Sequence, residues 1–244
     1  MATGADERME AAPTIGASDR IARFLSYFAS LELSEYDHTH RIRLIETLRR
    51  MDDVIRPGMA VIELGGLSRL AQFLAVDSSI DLQEYTKDLR FPLDLPDASF
   101  DLVLMLEVLE HLNDRHTLES PIAEIAMFTG SGAISCMQEI YRILKPGGHL
   151  VLTTPNATSV DTLGRVLLKE HPFQYKPHVR EYAPGDVVQM ITEAGLETAS
   201  TSTFFAWNAL PKINREELVR TIMSLGYEGS DRGDDLFVLA GKAS

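Results

Sequence analysis

One cysteine, Cys136, is all the thiol chemistry that 244 residues offer, so no disulfide can close within the chain. Reducing surroundings suit that usage. Basic residues are also short, since 23 Lys and Arg face 36 Asp and Glu for a formal net charge of -13. A field of that sign repels phosphates at long range and excludes an extended nucleic-acid footprint. No apolar run approaches the roughly 20 residues that a membrane-spanning helix requires. Nothing near the start joins basic residues to a long apolar stretch as a secretory leader does. The expectation is a cytoplasmic protein with neither a membrane nor a nucleic acid as partner. Apolar residues are plentiful, 45% against 24% charged, which allows a large core in one decorated domain.

Residues 1–17 are small and polar without periodicity and read as a disordered tail, leaving 18–244 as the ordered domain. Behind Ser18, a plausible cap, Ile21, Phe24, Leu25 and Phe28 recur at helical spacing, and Ile42, Ile45 and Leu48 repeat the pattern within Arg41–Met51. Two N-terminal helices over 18–51 are therefore expected. Ala60–Leu64 is a short apolar run ended by Gly65 and Gly66, the signature of a buried strand feeding a turn and a helix through Leu74. Further strands are expected at Ile80–Glu84, Asp101–Leu106 and His149–Thr154, the last two separated by a helix with Met137, Ile140, Tyr141 and Leu144. Pro184 opens a helix with Val187, Val188, Ile191 and Ala194 inward and Gly195 as its stop, and Asn214 with Glu217 caps another over Leu218–Leu225. Leu236–Ala240 closes the sheet. Strands alternating with helices define an α/β, Rossmann-like, doubly wound and mostly parallel sheet.

In such sheets ligands bind beyond the carboxyl ends of the strands, where loops diverge and helix N-termini offer free N–H groups. That rule selects Glu63 to Leu67, Glu84 to Asp88, Glu107 to His111, and Pro155 with Asn156. Carboxylates, bare glycine backbone, a histidine and an asparagine converging there suit a ligand with a cationic amine and ribose hydroxyls.

Four segments in this order resemble the class I S-adenosylmethionine-dependent methyltransferases of the broad small-molecule type, over roughly Met51 to Ala240. They are Val61-Ile62-Glu63-Leu64-Gly65-Gly66, the run from Pro96 to Val103, Glu107-Val108-Leu109-Glu110-His111-Leu112, and the run from Glu139 to Gly148. The resemblance implies a seven-stranded sheet with an antiparallel C-terminal strand and S-adenosyl-L-methionine as cofactor. Glu63, Gly65 and Gly66 would lie under the methionine part, the glycines admitting close backbone approach. Glu84, or else Asp81, would take the ribose hydroxyls, and Asp88 would sit near the adenine. Glu107 and Val108 would face the cofactor, with His111 as catalytic base in the reaction cleft. Asn156, His171, Tyr175, His178, Arg180 and Tyr182 would bind the methyl acceptor, a sugar, nucleotide-linked sugar, lipid or secondary metabolite.

Two departures qualify the match. The family's three alternating glycines become Gly65, Leu67 and Arg69, which opens an alternative: a binding or regulatory protein of this fold that no longer admits the cofactor. A nicotinamide-dependent oxidoreductase is disfavoured because the G-x-G-x-x-G run is missing. The second departure is a long segment, 113–135, whose portion Pro121–Phe128 reads as an extra helix suited to a substrate lid or a homodimer surface. Glu35, Tyr36, His38, His40 and Arg41 precede the second helix and read either as a segment that closes over the cofactor from above or as a simple polar loop. The grouping of His171, His178 and Glu181 matches no usual metal-ligand spacing, so no metal is expected.

Overall fold

The computed structural model describes residues 17–113, 131–208, 210 and 212–244. Six strands form one sheet: β1 (Ala60–Leu64), β2 (Asp81–Tyr85), β3 (Phe100–Leu106), β4 (Leu144–Pro155), β5 (Glu197–Phe204) and β6 (Asp235–Gly241). Their order is β2-β1-β3-β4-β6-β5. The pairs β1–β2, β1–β3 and β3–β4 are parallel, and β6 runs antiparallel between β4 and β5. The chain passes outward from β1 to β2 and then crosses back to β3, so the topological switch point lies at the carboxyl end of β1.

The helices are α1 (Ala17–Ala29), α2 (Glu35–Met51), α3 (Arg69–Asp77), α4 (Ser131–Ile143), α5 (Val160–Leu167), α6 (Pro184–Glu193) and α7 (Arg215–Ser224). Alternate residues of the central strands feed two cores, as a pleated strand buried on both faces requires. Val61, Leu102, Leu104, Val151 and Phe237 pack with Phe24, Phe28, Leu44, Leu48 and Leu74 of α1, α2 and α3. Ile62, Leu64, Val103, Met105 and Leu150 pack with Met137 and Ile140 of α4 and Val187 and Ile191 of α6.

The expected architecture is present with three corrections. Six strands, not seven, are found among the described residues, because 86–99 carries Pro92 and Pro96 and only turns and bends, with no further strand outside β2. The supposed polar loop ahead of Arg41 is helical. Ser34 caps α2, its Oγ accepting the Asp37 N–H at 3.1 Å while the Ser34 N–H donates to the Asp37 carboxylate at 2.9 Å. Leu144 belongs to β4 and not to the preceding helix, with Gly147 at φ 76 turning the chain before the strand resumes at His149. The tail through residue 16, and the insert over 114–130 with its expected helix, lie outside the described residues.

Candidate active site

Two hollows open side by side at the carboxyl edge of the sheet. The first, about 510 Å³, is walled by β1 and the turn after it (Glu63, Gly65, Gly66, Leu67, Ser68), by Arg69 and Gln72 of α3, by Leu106, Glu107 and Val108 after β3, and by Tyr36, Asp37, His40 and Arg43 of α2. The second, about 490 Å³, is lined by Glu107, Glu110 and His111 below, by Gln174, Tyr175 and His178, and by Trp207, Tyr36 and His40 above. Tyr36, His40 and Glu107 belong to both.

The first hollow follows from local backbone chemistry. Gly65 and Gly66 take φ 95 and 120, a left-handed pair that side chains resist. A Cβ on Gly65 would stand 2.5 Å from Val108 Cγ2, so this glycine closes the turn onto the β3 loop; a Cβ on Gly66 would meet nothing within 4 Å. Gly66 is thus the point where backbone lies bare to a ligand. Ser68 then caps α3, accepting the Ala71 N–H, and its own N–H donates to the Glu63 carboxylate at 2.6 Å. Glu63 is 1% exposed, and burial pushes its carboxyl up to about 7 against that hydrogen bond.

Leu67 and Arg69, the residues in place of family glycines, are walls and not plugs. The hollow stays open beside them, and Arg69 is drawn onto Asp37 of α2 by two hydrogen bonds of 2.9 and 3.1 Å. That pairing, together with the Ser34 cap, holds the Asp37 carboxyl well below the usual range and pins α2 as the roof.

Beneath the roof lies a charge cluster that the sequence did not single out. Arg43 is 2% exposed, and its Nε and Nη1 have no hydrogen-bond partner among the described residues. Its Nη2 meets His40 Nδ1 at 3.1 Å. The field of this guanidinium opposes the upward shifts of Glu63, Glu110 and Asp235, all of them dominated by burial. Glu107 sits at φ 57, and its Oε1, like both oxygens of Asp235, is buried without a partner among the described residues. Partnerless carboxylate oxygens around an open hollow are costly unless a cationic or donor-bearing ligand completes them. The acidic and glycine walls therefore fit a group carrying an ammonium and a sulfonium.

Glu84 and Asp88 do not join this wall. Glu84 is level with Glu63 in the β1–β2 register but exposed, and Asp88 gives both oxygens to Arg90, at 3.0 and 2.7 Å.

The second hollow is aromatic. Tyr36 stacks on His40 with centroids 3.8 Å apart, Trp207 meets His40 edge-on at 4.9 Å, and Tyr175 meets His178 at 5.5 Å. His111 and His178 are edge-on at 4.9 Å, and burial followed by the His178 field lowers the His111 pKa below its ordinary 6.5.

Of the six expected acceptor residues, Tyr175 and His178 line this hollow, and the other four are placed elsewhere. Asn156 is fully buried, donating to Gly233 O at 2.8 Å and accepting from Thr158, so it ties the loop after β4 to the one before β6. Tyr182 is buried beside it in a parallel bridge to Asn156. Arg180 lies over the Tyr182 ring at 5.0 Å, and His171 is exposed, bonded to the Phe173 N–H. Trp207, Gln174 and Glu110 were missed, as were Arg43 and Asp235. The nearest signal was Glu110 itself, inside the Glu107–Leu112 motif but passed over for its neighbour.

A doubly wound sheet with a glycine turn and a buried glutamate at its switch point, adjoining a histidine-bearing hollow, is an architecture that binds ligands at that edge. Comparison with known proteins specifies it. Residues 36–201 match the family model described as a methyltransferase domain. The "probable S-adenosylmethionine-dependent methyltransferase" of Mycolicibacterium smegmatis is 30% identical over 122 residues, 50% of this chain and 38% of that relative. The chain thus spans under half the length of the curated relative it matches. Among solved structures, the methyltransferase in complex with the Trm112 methyltransferase activator of Haloferax volcanii superposes with a TM-score of 0.58 at 16% identity, over 91% of this chain and 98% of that one. A SAM-dependent methyltransferase of Archaeoglobus fulgidus gives 0.56 at 16% identity, over 85% and 98%. At these identities the structures show a shared fold. The chain belongs to the methyltransferase domain family. Among the described residues no helix is long and apolar enough to cross a membrane.

Proposed function

We propose that this chain transfers a methyl group from S-adenosylmethionine to an oxygen or nitrogen of a small molecule, in the class of sugars, nucleotide-linked sugars, lipids and secondary metabolites. One observation carries the reading: an acidic, glycine-walled hollow and an aromatic, histidine-bearing hollow share the wall formed by Tyr36, His40 and Glu107. Such adjacency is what an in-line displacement needs, because alignment of nucleophile, methyl carbon and leaving sulfur provides most of the acceleration.

When bound, the cofactor supplies an electrophilic methyl on a sulfonium. Glu63 receives the ammonium of its methionine part, and the bare Gly66 backbone allows close approach. Glu107 and Val108 bound the first hollow on the side facing the acceptor. Glu84, level with Glu63, takes ribose hydroxyls from outside the hollow; Asp88 is left out of the cofactor set because Arg90 occupies both of its oxygens. Tyr36, Tyr175 and Trp207 orient the acceptor and exclude water, and the Glu110, His111 and His178 cluster takes its proton. The test is release of S-adenosylhomocysteine, read by mass spectrometry, from the protein incubated with cofactor and a panel of hydroxyl- and amine-bearing small molecules. Acceptor-dependent release that falls at least tenfold in His111→Ala supports the reading, ~1.4 kcal/mol of barrier. Failure of S-adenosylhomocysteine to bind at millimolar concentration overturns it.

A further inference from the structure

The short 3-10 turn Leu109–His111, just after β3, sends two neighbouring side chains to one place. Glu110 points inward and is 1% exposed, while His111 faces the second hollow. Thr154 of β4 donates its hydroxyl to Glu110 Oε2 at 2.9 Å. The other oxygen, Oε1, has no hydrogen-bond partner among the described residues despite its burial.

A third group arrives from far along the chain. The Glu110 carbonyl accepts the Val179 N–H at 2.8 Å, which pins the loop bearing His178 onto the turn. His178 Nδ1 is bonded to Glu181 Oε1 at 2.7 Å, and the same oxygen accepts the Gln174 N–H at 2.6 Å. A carboxylate on Nδ1 fixes the ring so that Nε2 presents its lone pair, the arrangement that carries metal-binding histidines. That Nε2 lies 4.0 Å from Glu110 Oε1, and His111 Nε2 lies 3.8 Å from it. One ligand atom from each of the three residues stands within 4.8 Å of the others.

These separations are too long for hydrogen bonds and leave a buried carboxylate oxygen without a donor. An ion resolves both facts. Ligand atoms held about 2.0–2.2 Å from one metal stand ~3–3.5 Å apart, so both imidazoles, His111 and His178, close in on Glu110 Oε1 by roughly half an ångström or more when an ion binds. We propose that Glu110, His111 and His178 form a binding site for one divalent first-row transition ion, with Glu181 as the positioning residue for His178. Two imidazole nitrogens and a carboxylate favour Zn²⁺, Mn²⁺, Fe²⁺ or Co²⁺ over Mg²⁺ and Ca²⁺, which prefer all-oxygen shells. This differs from the absence of metal expected from sequence, where the grouping considered was His171, His178 and Glu181.

The cluster lines the acceptor hollow, so positions not filled by protein are open to a ligand there. Metal binding stands apart from the methyl-transfer reading; only its catalytic consequence rests on that reading. With an ion bound, His111 is a ligand and not the base, and an acceptor hydroxyl held by the ion loses its proton to solvent water.

The experiment uses the full chain after dialysis against a chelator. Co²⁺ is titrated with visible absorption as the readout and Zn²⁺, Mn²⁺ and Mg²⁺ by calorimetry, while S-adenosylhomocysteine is titrated separately without metal. The site predicts one Co²⁺ per chain with ligand-field bands at micromolar affinity or tighter, and Mg²⁺ binding more weakly. His111→Ala and His178→Ala lose most of that affinity, and Glu181→Gln weakens it about 10–100-fold. Circular dichroism of each variant reports folding, and His111→Ala, at a half-exposed position, is the one least open to misfolding. Absence of Co²⁺, Zn²⁺ and Mn²⁺ binding at millimolar concentration overturns the site, as does affinity unchanged in both histidine variants. Either result with S-adenosylhomocysteine still bound overturns the metal site alone.

Discussion

Replacing Glu63 by glutamine keeps the shape of a buried side chain and its hydrogen bond from the Ser68 N–H while removing a titratable charge. Burial raises the Glu63 carboxyl from 4.5 to about 7. A ligand ammonium stabilises the ionised form, so binding is tighter wherever Glu63 is already ionised. With a pKa near 7 the ionised fraction climbs from about 3% at pH 5.5 to about half at pH 7, roughly fifteenfold, while a ligand α-amine of pKa about 7.7–8.0 stays largely protonated. Calorimetric titration of S-adenosylhomocysteine across that window therefore yields an affinity rising about fifteenfold in the parent and nearly flat in Glu63→Gln. The variant binds about tenfold or more weakly at pH 7, given the ~1.5–3 kcal/mol of a hydrogen bond to a charged group.

The same shift acts on stability with the opposite sense. A carboxyl whose folded pKa is raised leaves the native state holding more protons than the unfolded chain between pH 4.5 and about 7. Stability falls as pH rises through that window, by about 3 kcal/mol in total. Glu63→Gln removes the fall, so the variant unfolds at higher denaturant than the parent at pH 8 and at equal denaturant at pH 4. An affinity that rises just as steeply in Glu63→Gln would refute the assignment of the ammonium to this residue and move it to Glu107.

Three further outcomes follow from the geometry. Gly65→Ala combines φ 95 with a Cβ 2.5 Å from Val108 Cγ2 and lowers unfolding stability by about 1–3 kcal/mol; the double variant with Val108→Ala recovers the steric part in denaturant titration, and a neutral Gly65→Ala would mean the turn is soft. Asp37→Ala removes both the Arg69 partner and half of the α2 capping box, costing about 3 kcal/mol. Because the Asp37 pKa is depressed, its contribution is present above pH 3.8 and lost as pH falls below that, so parent and variant melting temperatures converge in acid. Tyr36→Ala, in the wall common to both hollows, weakens S-adenosylhomocysteine binding at least about fivefold, ~1 kcal/mol, whereas Trp207→Ala, which touches only the second hollow, leaves it unchanged; equal losses would show that the hollows are not separate.

The sheet was readable because its central strands are short apolar runs buried on both faces, a pattern only a covered parallel sheet tolerates. Strand β5 escaped for the converse reason: Glu-Thr-Ala-Ser-Thr-Ser-Thr-Phe has almost no apolar alternation, since most of it is exposed at the sheet edge. At the strand ends, the positions of the hollows were legible, since Glu63, Gly66, Glu107 and His111 line them. Asn156, Arg180 and Tyr182 carried the right functional groups but are taken up by backbone and ring contacts that sequence does not display. Arg43 and Asp235 were invisible from the other direction. Each sits inside a helical or strand pattern where an apolar residue belongs, and the field that Arg43 exerts on Asp235 depends on α2 and β6, which meet only in three dimensions.

The position of β6 bears on how the molecule is made. Its backbone bridges β4 and β5, both of which precede it in the chain, so a nascent polypeptide emerging from the ribosome carries two unsatisfied strand edges until Asp235–Gly241 arrives. Synthesis arrested before that point exposes Leu150, Leu152 and the β5 edge together, a combination that invites intermolecular pairing. Asp235 arrives in the same segment, so the buried charges around Arg43 are assembled only when this strand slots home.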